Sequence, residues 1–502
     1  MTFHRVLVAN RGEIALRIIR ACHEEGLEAV AVYSDADRLS PHVRAANDAV
    51  AIGPPAASES YLNIQKLIDA AKHTGCEAIH PGYGFLSERA RFAEAVTTAG
   101  LTFVGPPATA IRAMGDKTEA RRRMQAAGVP VVPGLTRALA DAADARREAE
   151  RIGLPVLAKA AAGGGGKGMR VIRSLDEVPA AFQSARSEAE KAFGDGSLYL
   201  ERFIEKPRHI EIQILADTRG RVVSLGEREC SIQRRHQKLI EESPSVAVTP
   251  ALRRRLGEAA TAAAGAVGYV GAGTIEFLLT PDGEFYFLEM NTRIQVEHPV
   301  TELVTGVDLV REQLRIAAGQ PMRVAGGPLH PRGHAIECRI TAEDPFNDFL
   351  PATGVIRYLR VPGGPSVRWD GGVEAGNEVS LYYDPLIAKL IVWGENRDAA
   401  LQRMRRCLRE LVIVGLPTSQ AFHLRVLDDP EFQRGEIDIG YLDRAGARLL
   451  GEPIAPRLVR PIAVVAALLA EERRTASGIR RTAGSPPRTS AWQTEARRDG
   501  LR

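Results

Sequence analysis

The chain has few cysteines, few aromatic residues and no long apolar run. Its five cysteines are odd in number, lie far apart and never form a Cys-x-x-Cys pair, which fits neither a disulfide framework nor a zinc site. No apolar stretch approaches the roughly 20 residues of a membrane span, and the chain does not begin with a charged-then-apolar leader. These absences predict a cytoplasmic protein in a reducing compartment, without a membrane partner.

The body of the chain also lacks an excess of charge of either sign. The formal charge of +4 comes from the tail, because Gly451–Arg502 holds ten arginines against five acidic residues. Residues 1–450 carry 56 basic and 57 acidic side chains. A neutral body does not produce the positive field that nucleic-acid binding requires, so we expect no nucleic-acid partner.

The composition is that of a globular enzyme, with 45% hydrophobic and 25% charged residues among 502. Up to about residue 132, short apolar runs alternate with segments of helical period. The strand-like and helix-like segments are Val6–Ala9, Ile14–His23, Ala29–Tyr33, Ala78–Ile79 and Thr102–Val104. This alternation predicts a doubly wound parallel α/β domain.

A glycine-rich run, Ala161–Gly168, follows strand-like Val156–Ala160 and precedes strand-like Met169–Ile172. No helix is predicted where the glycines end, so the run is neither a Walker loop nor a dinucleotide-binding loop. A flexible linker seldom joins two apolar strands within a few residues, and we interpret the run as a cover over phosphates. Together with a helix from about Ala140 to Arg151, it predicts a small lid domain.

The remainder of the chain is predicted to be mostly strands from Glu201 to Glu302, then mixed helices and strands to about Ala445. The tail has a helix-like stretch at Pro461–Glu472. Residues 475–502 are rich in Arg, Ser, Pro and Gly, and we expect them to be disordered.

Two carboxylates are predicted to meet in an apolar hairpin. A turn centred on Asp282-Gly283 sets Glu276 directly opposite Glu289. Opposed like charges destabilise a sheet unless a cation lies between them, so we predict Mg²⁺ or Mn²⁺ here, with Asn291 on the same face as Glu289. The alternative is a pair of solvent-facing acids on an exposed hairpin.

The segment after this hairpin adds further polar groups. Because Pro299 disfavours a helix, we expect Arg293, Gln295 and Glu297 to alternate along one extended face. This places a cation, an amide and a base just beyond the metal.

Other polar residues carry weaker signals. By itself, the run Gln233–Lys238 favours a solvated basic loop in a strand-rich region. Single lysines such as Lys117 and Lys159 are more often surface charges than ligands. Lys159, however, directly precedes the glycine-rich run, where its charge would meet phosphate oxygens.

Taken together, these segments resemble the biotin carboxylase family from about Phe3 to Ala445. The segments that carry the resemblance are Ala9–Ala15, His80–Glu88, Gly115–Lys117, the glycine-rich run, Pro207–Glu211, Gln233–Lys238 and Glu289–Glu302. The resemblance implies an ATP-grasp fold of mixed α/β and α+β class, with a Rossmann-like N-terminal domain, a glycine-loop lid and a C-terminal biotin carboxylase domain. We expect these domain boundaries: 1–115, 116–330 with a lid at about 132–203, 331–446, and a partly disordered tail at 447–502.

The resemblance also implies a role for each site residue. ATP contacts fall to Lys117, Lys159, Gly163, Gly164, Gly165, Gly166, Glu201, Arg202, Phe203, Ile204, His209, Gln233, His236, Glu276 and Glu289. Metal ions fall to Glu276, Glu289 and Asn291. Bicarbonate falls to Lys238, Arg293, Gln295 and the backbone of Val296. Glu297 is implied to be the base, and Arg339 to face the biotin ureido group.

The implied reaction is the ATP-dependent carboxylation of biotin by bicarbonate through carboxyphosphate. It requires MgATP, with Mg²⁺ or Mn²⁺ in two sites. The implied partners are carboxyltransferase subunits, a biotin carboxyl carrier protein and a second copy in a homodimer. The sequence has no Met-Lys pair at which biotin would be attached. We therefore expect biotin to arrive on a separate carrier protein, or the chain to be a truncated relative of longer family members.

Two other functions compete with this interpretation. A different ATP-grasp ligase, of the carbamoyl-phosphate or purine-pathway kind, would share the lid and the acidic hairpin, but Gln233–Lys238 and Arg293–Glu297 argue against it. A silent nucleotide-binding scaffold of a carboxylase complex is the second alternative. It conflicts with the family residue at every proposed catalytic position. The sequence does not identify the acyl-CoA that is finally carboxylated, although Tyr382–Lys389 resembles propionyl- and methylcrotonyl-CoA carboxylase subunits more than acetyl-CoA enzymes.

Overall fold

The computed structural model describes residues 2–161, 168–324, 330–451, 461 and 464–469. The chain divides into two units, Met1–Leu449 and Leu450–Arg502. In the second unit, residues 464–469 are helical and exposed, within the stretch predicted to be helix-like. The glycines of the cover, Gly163–Gly166, and the tail expected to be disordered both lie outside the described residues.

The N-terminal sheet shows how short apolar strands are buried on both faces. Val6 and Val8 pack with Ile14 on one face, whereas Leu7 packs with Phe92 on the other, because successive side chains of a strand point in opposite directions. The parallel strands are β1 (Arg5–Val8), β2 (Glu28–Ser34), β3 (Asp48–Gly53), β4 (Ala78–His80) and β5 (Thr102–Phe103), in the order β3-β2-β1-β4-β5. The helices are α1 (Gly12–Glu24), α2 (Pro41–Ala45), α3 (Ile64–His73), α4 (Ala90–Thr98) and α5 (Ala108–Gly115). The predicted doubly wound domain is confirmed.

The lid is a small antiparallel sheet that packs its own apolar core against two helices. After α6 (Lys117–Ala126), its elements are α7 (Ala142–Ile152), β6 (Val156–Ala160), β7 (Arg170–Ile172), α8 (Val178–Phe193) and β8 (Leu198–Arg202). The strands lie in the order β7-β6-β8. Since β6 and β7 pair antiparallel, the glycine-rich run joins two neighbouring strands, as predicted.

An eight-stranded antiparallel sheet, in the order β13-β12-β9-β10-β11-β14-β21-β19, is the largest sheet of the first unit and is called the central sheet below. Its strands are β9 (Arg208–Ala216), β10 (Val222–Arg234), β11 (Gln237–Ser243), β12 (Gly271–Leu279), β13 (Phe285–Asn291), β14 (His334–Thr341), β19 (Val367–Gly371) and β21 (Leu386–Gly394). Because β11 pairs with β14, the sheet continues across residue 330, where we expected a domain boundary.

The remaining elements flank this sheet. The helices are α9 (Pro250–Gly265), α10 (His298–Thr305), α11 (Leu309–Ala317), α12 (Arg397–Glu410), α13 (Gln420–Asp428), α14 (Pro430–Gln433) and α15 (Tyr441–Leu449). Two-residue and three-residue strands pair as β15 (Glu343–Asp344) with β16 (Leu350–Pro351), β17 (Gly354–Val355) with β20 (Glu378–Val379), and β18 (Tyr358–Arg360) with β22 (Val412–Val414).

The expectation of mostly strands between Glu201 and Glu302 was wrong for α9. This helix spans sixteen residues, and the Thr249 side chain accepts a hydrogen bond from the Leu252 amide at its start. Pro250 follows the cap, where its missing amide hydrogen is not needed. The Thr-Pro start and the alanine-rich sequence were the signals in the sequence that predict this helix.

All five cysteines are buried free thiols, in agreement with the absence of a disulfide pattern. None of the described helices combines the length and the apolar character that a membrane crossing requires.

Candidate active site

One cavity of about 810 Å³ is lined by residues of the N-terminal domain, the lid and the eight-stranded sheet. The predicted site residues among its lining are Lys117, Lys159, Glu201, His209, Gln233, His236, Lys238, Glu276, Glu289, Asn291, Arg293, Gln295, Val296, Glu297 and Arg339. Arg202, Phe203 and Ile204 lie outside this lining, where the amides of Arg202 and Phe203 bind the carbonyls of Pro133 and Pro155. The structure therefore brings together residues that are more than 200 positions apart in the sequence.

Glu276 pairs with Glu289 across β12 and β13, as the sequence predicted, but the turn differs from the prediction. The loop has three residues and is closed by Thr280 and Glu284, with Gly283 at a φ of +84°. Near the turn the register is therefore shifted by one residue from our expectation. A bulge at Leu288 restores the predicted register and places the two carboxylates opposite each other.

The two carboxylates have different electrostatic surroundings. Burial disfavours the charge of Glu276, but Lys238 and His209 outweigh it and lower its pKa well below the ordinary range. Its oxygens lie 2.9 Å from Lys238 Nζ and 3.0 Å from His209 Nε2. The Glu289 side chain is exposed to water in the cleft. Partial removal from bulk water inside the cleft and the charge of the neighbouring Glu276 raise its pKa. A second cation close to Glu289 would relieve this repulsion.

The residues present fit a divalent cation. Glu276, Glu289 and Asn291 offer oxygen ligands in the same cavity, which is the ligand chemistry that Mg²⁺ and Mn²⁺ prefer. The Asn291 side-chain oxygen accepts from Arg293 Nη2 at 2.7 Å, and its buried Nδ2 has no hydrogen-bond partner among the described residues. Its amide group is therefore not fully satisfied by protein contacts.

Lys238 is fixed by a tight hairpin between β10 and β11. Arg235 and His236 have φ values of +50° and +64°, which correspond to a two-residue turn of type I′. The polar run Gln233–Lys238 is therefore a hairpin whose strand residues Gln233 and Lys238 pair with each other and line the cavity, rather than a solvated loop.

The Lys238 ammonium contacts three carboxylates at once. Its Nζ lies 2.5 Å from Glu211 Oε2, 2.9 Å from Glu276 Oε1 and 2.6 Å from Glu297 Oε1. Burial opposes the charge of Glu297, but Lys238 and Arg339 lower its pKa well below the ordinary range. Glu297 is therefore ionised.

The segment from Arg293 to Glu297 is irregular rather than extended, and α10 begins directly after it at His298. The expectation that Pro299 prevents a helix was wrong, because a proline in the first turn lacks an amide hydrogen that would have no partner there. Arg293, Gln295 and Glu297 nevertheless all line the cavity. Val296 does so as well, and its carbonyl accepts from Lys389 Nζ at 2.8 Å.

Sequence reasoning missed Arg228, which is fully buried and holds the irregular segment against the sheet. Its guanidinium donates to Gln295 Oε1 at 2.6 Å, to Thr301 Oγ1 at 3.0 Å and to Glu211 Oε1 at 2.5 Å. Little in the sequence signalled this role, because Arg228 stands between two glutamates in a segment whose burial only the structure shows.

Glu88 was also missed, although it lies in the segment His80–Glu88 that carried the family resemblance. Glu88 Oε2 accepts from Arg293 Nε at 2.9 Å, and Oε1 accepts from the Thr292 amide at 3.0 Å. The N-terminal domain thereby orients the arginine that the resemblance assigns to bicarbonate.

The lid contributes a buried ion pair to the other end of the cavity. Lys159 Nζ donates to Glu201 Oε1 at 2.8 Å, across neighbouring strands β6 and β8. Burial disfavours the charge of Lys159, but Glu201 outweighs it and raises the pKa. Burial and the charge of Lys159 lower the pKa of Lys117. Two cationic side chains in one cavity form a site suited to phosphate oxygens.

A lid sheet, an antiparallel central sheet and one cavity lined by Lys117, Lys159 and the Glu276–Glu289 pair define an ATP-grasp enzyme. Three family models match the chain. They are "Biotin carboxylase, N-terminal domain" over residues 2–111, "Carbamoyl-phosphate synthase L chain, ATP binding domain" over 116–325, and "Biotin carboxylase C-terminal domain" over 337–444. The middle model is named for another ATP-grasp enzyme, whereas both flanking models are named for biotin carboxylase.

Named proteins of similar sequence agree with the two biotin carboxylase matches. The biotin carboxylase of Nostoc sp. is 54% identical over 442 residues, which cover 88% of this chain and 99% of that protein. The biotin carboxylase of Haemophilus influenzae is 52% identical over 441 residues, covering 88% and 98%. The biotin carboxylase domain dimer of Hydrogenobacter thermophilus 2-oxoglutarate carboxylase, solved with MgADP, ADP and bicarbonate, has a TM-score of 0.86 at 46% identity and covers 90% of this chain and 99% of that chain. The chain belongs to the biotin carboxylase family.

Proposed function

We propose that the chain carboxylates biotin with bicarbonate at the expense of ATP, as a ligase that forms a carbon–nitrogen bond. The observation that carries the proposal is the position of Glu297. This carboxylate is paired with both Lys238 and Arg339 in the same cavity as the Glu276–Glu289 pair. A base, an anion-binding group and an acidic pair for metal–nucleotide are thus within one cleft.

We propose that ATP lies between the lid and the central sheet. Lys117, Lys159 and His209 would neutralise its phosphates, and the glycines Gly163–Gly166 would cover them. Glu201–Ile204, Gln233 and His236 would bind the remainder of the nucleotide. Divalent cations held by Glu276, Glu289 and Asn291 would neutralise the charge on the transferred phosphoryl group.

Bicarbonate is activated by loss of its proton. Lys238, Arg293, Gln295 and the Val296 backbone would hold the anion beside Glu297. Glu297 takes the proton, and a bicarbonate oxygen attacks the γ-phosphorus while the bond to ADP breaks. The products of this step are carboxyphosphate and ADP.

The carboxyl group then passes to biotin. Carboxyphosphate breaks into CO₂ and phosphate, the phosphate takes the proton from biotin N1, and N1 attacks CO₂. Arg339 would stabilise the negative charge on the ureido oxygen. Closure of the lid, for which we propose the boundaries 132–203, would keep water out of this sequence.

Biotin would come from a separate carrier protein, and a carboxyltransferase would pass the carboxyl group to the final acceptor. This supports a place in the first half-reaction of an acyl-CoA or acetyl-CoA carboxylase. A homodimer agrees with the dimer named for the Hydrogenobacter domain. The five buried thiols agree with a reducing compartment such as the cytoplasm. We retain the domain division 1–115, 116–330 and 331–446.

The deciding experiment measures ADP release by the purified full chain with MgATP, with and without bicarbonate and free biotin. We expect turnover to require bicarbonate and to rise with biotin. ATP hydrolysis that depends on neither bicarbonate nor biotin would contradict the proposal. A complete lack of ATP hydrolysis, even with a biotinylated carrier domain present, would contradict it as well. ATP binding without any turnover would instead favour the silent scaffold.

A further inference from the structure

Arg339 is held by two carboxylates that approach it through different nitrogens. Its Nε donates to Glu241 Oε1 at 2.6 Å, and its Nη2 donates to Glu297 Oε2 at 2.9 Å. The role proposed above uses Glu297 as the base and Arg339 as the group that faces biotin. It leaves Glu241 without a function.

Glu241 occupies an unfavourable place for a carboxylate. It is fully buried on β11 and pairs directly with Glu337 on β14, which is also fully buried. Glu241 Oε2 and both Glu337 oxygens have no hydrogen-bond partner among the described residues. Two opposed acids in the interior destabilise a sheet, and apolar side chains of similar volume would be more stable.

We propose that Glu241 is the positioning residue for Arg339. Glu241 fixes the guanidinium through Nε. Nη2 can then release Glu297 and bind the ureido oxygen of biotin while the guanidinium keeps its orientation. This inference rests on the proposed function and adds a residue to it. Glu241 does not line the cavity, and we assign it no direct contact with bicarbonate or biotin.

The order of charge changes explains why one anchor is needed. When Glu297 takes the proton of bicarbonate, it loses its charge, and its hold on Arg339 weakens. Arg339 then retains Glu241 as its partner carboxylate on β11. Without this anchor, the flexible arginine side chain would lose orientation at the moment when the negative charge on biotin develops.

The groups around Glu241 are expected to make the KM for biotin depend on pH. Burial raises the pKa of Glu241 to about 7, although Arg339 opposes this. The titratable groups around it are Arg339, Glu337 and Cys338 from β14, Lys238 from β11, Cys230 from β10 and Glu297. Lys389 from β21 acts on the opposed Glu337. Ionised Glu241 holds Arg339 more strongly than the protonated form does. The KM for biotin is therefore expected to fall as pH rises through about 7.

Glu242 provides a matched control on the same strand. It is equally buried, but as the next residue of β11 it points to the opposite face of the sheet. There it accepts from Arg397 Nε and from His334 Nε2, each at 2.7 Å. Glu242→Gln thus removes a buried, arginine-paired carboxylate without touching Arg339.

The test measures steady-state ADP release by wild type, Glu241→Gln, Glu241→Asp and Glu242→Gln against biotin, bicarbonate and ATP, from pH 6 to about pH 8.5. We expect Glu241→Gln to raise the biotin KM or lower the biotin-stimulated kcat by about tenfold, and to leave the biotin-independent, bicarbonate-dependent rate within about twofold. Its biotin KM should not fall across pH 7. Glu241→Asp keeps the charge on a shorter side chain, so its biotin response should fall between those of wild type and Glu241→Gln. If Glu241→Gln does not fold, the comparison is made with Glu241→Asp instead.

Three outcomes would overturn the inference. Glu241→Gln with wild-type biotin parameters would show that Arg339 needs no anchor. An equal loss of the biotin-independent rate, or an equal loss of biotin response in Glu242→Gln, would show a general effect on the fold. If the wild-type chain itself gives no biotin stimulation with free biotin or a biotinylated carrier domain, the proposed function fails first, and the inference fails with it.

Discussion

Lys238 Nζ lies 2.6 Å from Glu297 Oε1, and the same ammonium lies 2.9 Å from Glu276 Oε1. One cation therefore joins the proposed base to the proposed metal ligands. Because Lys238 is almost fully buried, its charge acts on both carboxylates with little screening by water. The protonation of the base and the charge of the metal site are consequently linked.

Replacing the base separates nucleotide binding from chemistry. Glu297→Gln should retain ATP binding within about threefold, because the amide keeps the volume of the side chain, but should lower bicarbonate-dependent ADP release by at least about a hundredfold. Nucleotide titration followed by a coupled ADP assay measures both. Near-normal turnover would remove Glu297 from the role of base.

Reversing the charge at the acidic hairpin tests the metal site. Glu289→Lys should abolish Mg²⁺-dependent ATP turnover, because it places a cation where the ligand oxygen is needed. Glu284→Lys is the control, since Glu284 is an exposed acid that closes the loop of the same hairpin. A Mg²⁺ titration should be unchanged for the control. An unchanged Mg²⁺ dependence in Glu289→Lys would refute the metal assignment.

A substitution at Gly134 tests whether the position of β8, which carries Glu201 of the Lys159–Glu201 pair, matters for ATP binding. A Cβ at Gly134 would lie 2.6 Å from the Glu201 Cα and 2.6 Å from the Leu200 carbonyl oxygen, which are backbone atoms that cannot move aside freely. Gly134→Ala should therefore displace β8, destabilise the chain by about 2 kcal/mol and raise the KM for ATP several-fold. Thermal melting and ATP kinetics measure the two effects.

The control for this variant is Gly446→Ala, because a Cβ at Gly446 in α15 meets no atom within 4 Å. This substitution should leave the KM for ATP unchanged and stabilise the helix by up to about 1 kcal/mol. Equal ATP kinetics in wild type and Gly134→Ala would contradict the predicted clash.

Glu242 is expected to make stability depend on pH. Burial opposes its charge, but Arg397 and His334 lower its pKa from an ordinary value of 4.5 to about 2. The ionised form then contributes about 3 kcal/mol to the free energy of unfolding above pH 4.5, and this contribution is lost as pH falls from 4.5 towards 2. Glu242→Gln should accordingly be less stable than wild type at pH 7, and the difference should narrow below pH 4.5.

Urea denaturation at pH 7 and at about pH 3.5 measures this difference, which should be roughly 1 kcal/mol smaller at the lower pH. Equal differences at both pH values would show that Glu242 stabilises the fold through packing rather than through its charge.

Much of the architecture could be predicted from local pattern. The strands near Val6 and Ala29, the helix at Ile14 and the antiparallel pair around the glycine-rich run follow from apolar periodicity and turn residues, which depend on near neighbours in the chain. The helix α9 was missed because its alanines carry little amphipathic contrast, although its Thr-Pro start was visible.

The acidic hairpin shows the limit of such rules. The sequence predicted that Glu276 meets Glu289, but from a two-residue turn. In the structure a three-residue loop shifts the register, and the bulge at Leu288 shifts it back. The Thr280 side chain closes this loop, because its hydroxyl donates to the Glu284 carbonyl and accepts from the Glu284 amide. No local signal in the residues indicated the bulge.

By itself, the sequence indicated many of the helices and strands and the residues that we propose for phosphates, metals and bicarbonate, because residue type and spacing are properties of short stretches. Only the tertiary structure decided which of these groups contact each other. Arg228 reaches Thr301 because α10 packs on the sheet. Arg339 lies between Glu241 and Glu297 because β11 pairs with β14 and the start of α10 packs on these strands. Such pairing is set by burial and hydrogen bonding over the whole chain, so no short segment contains it.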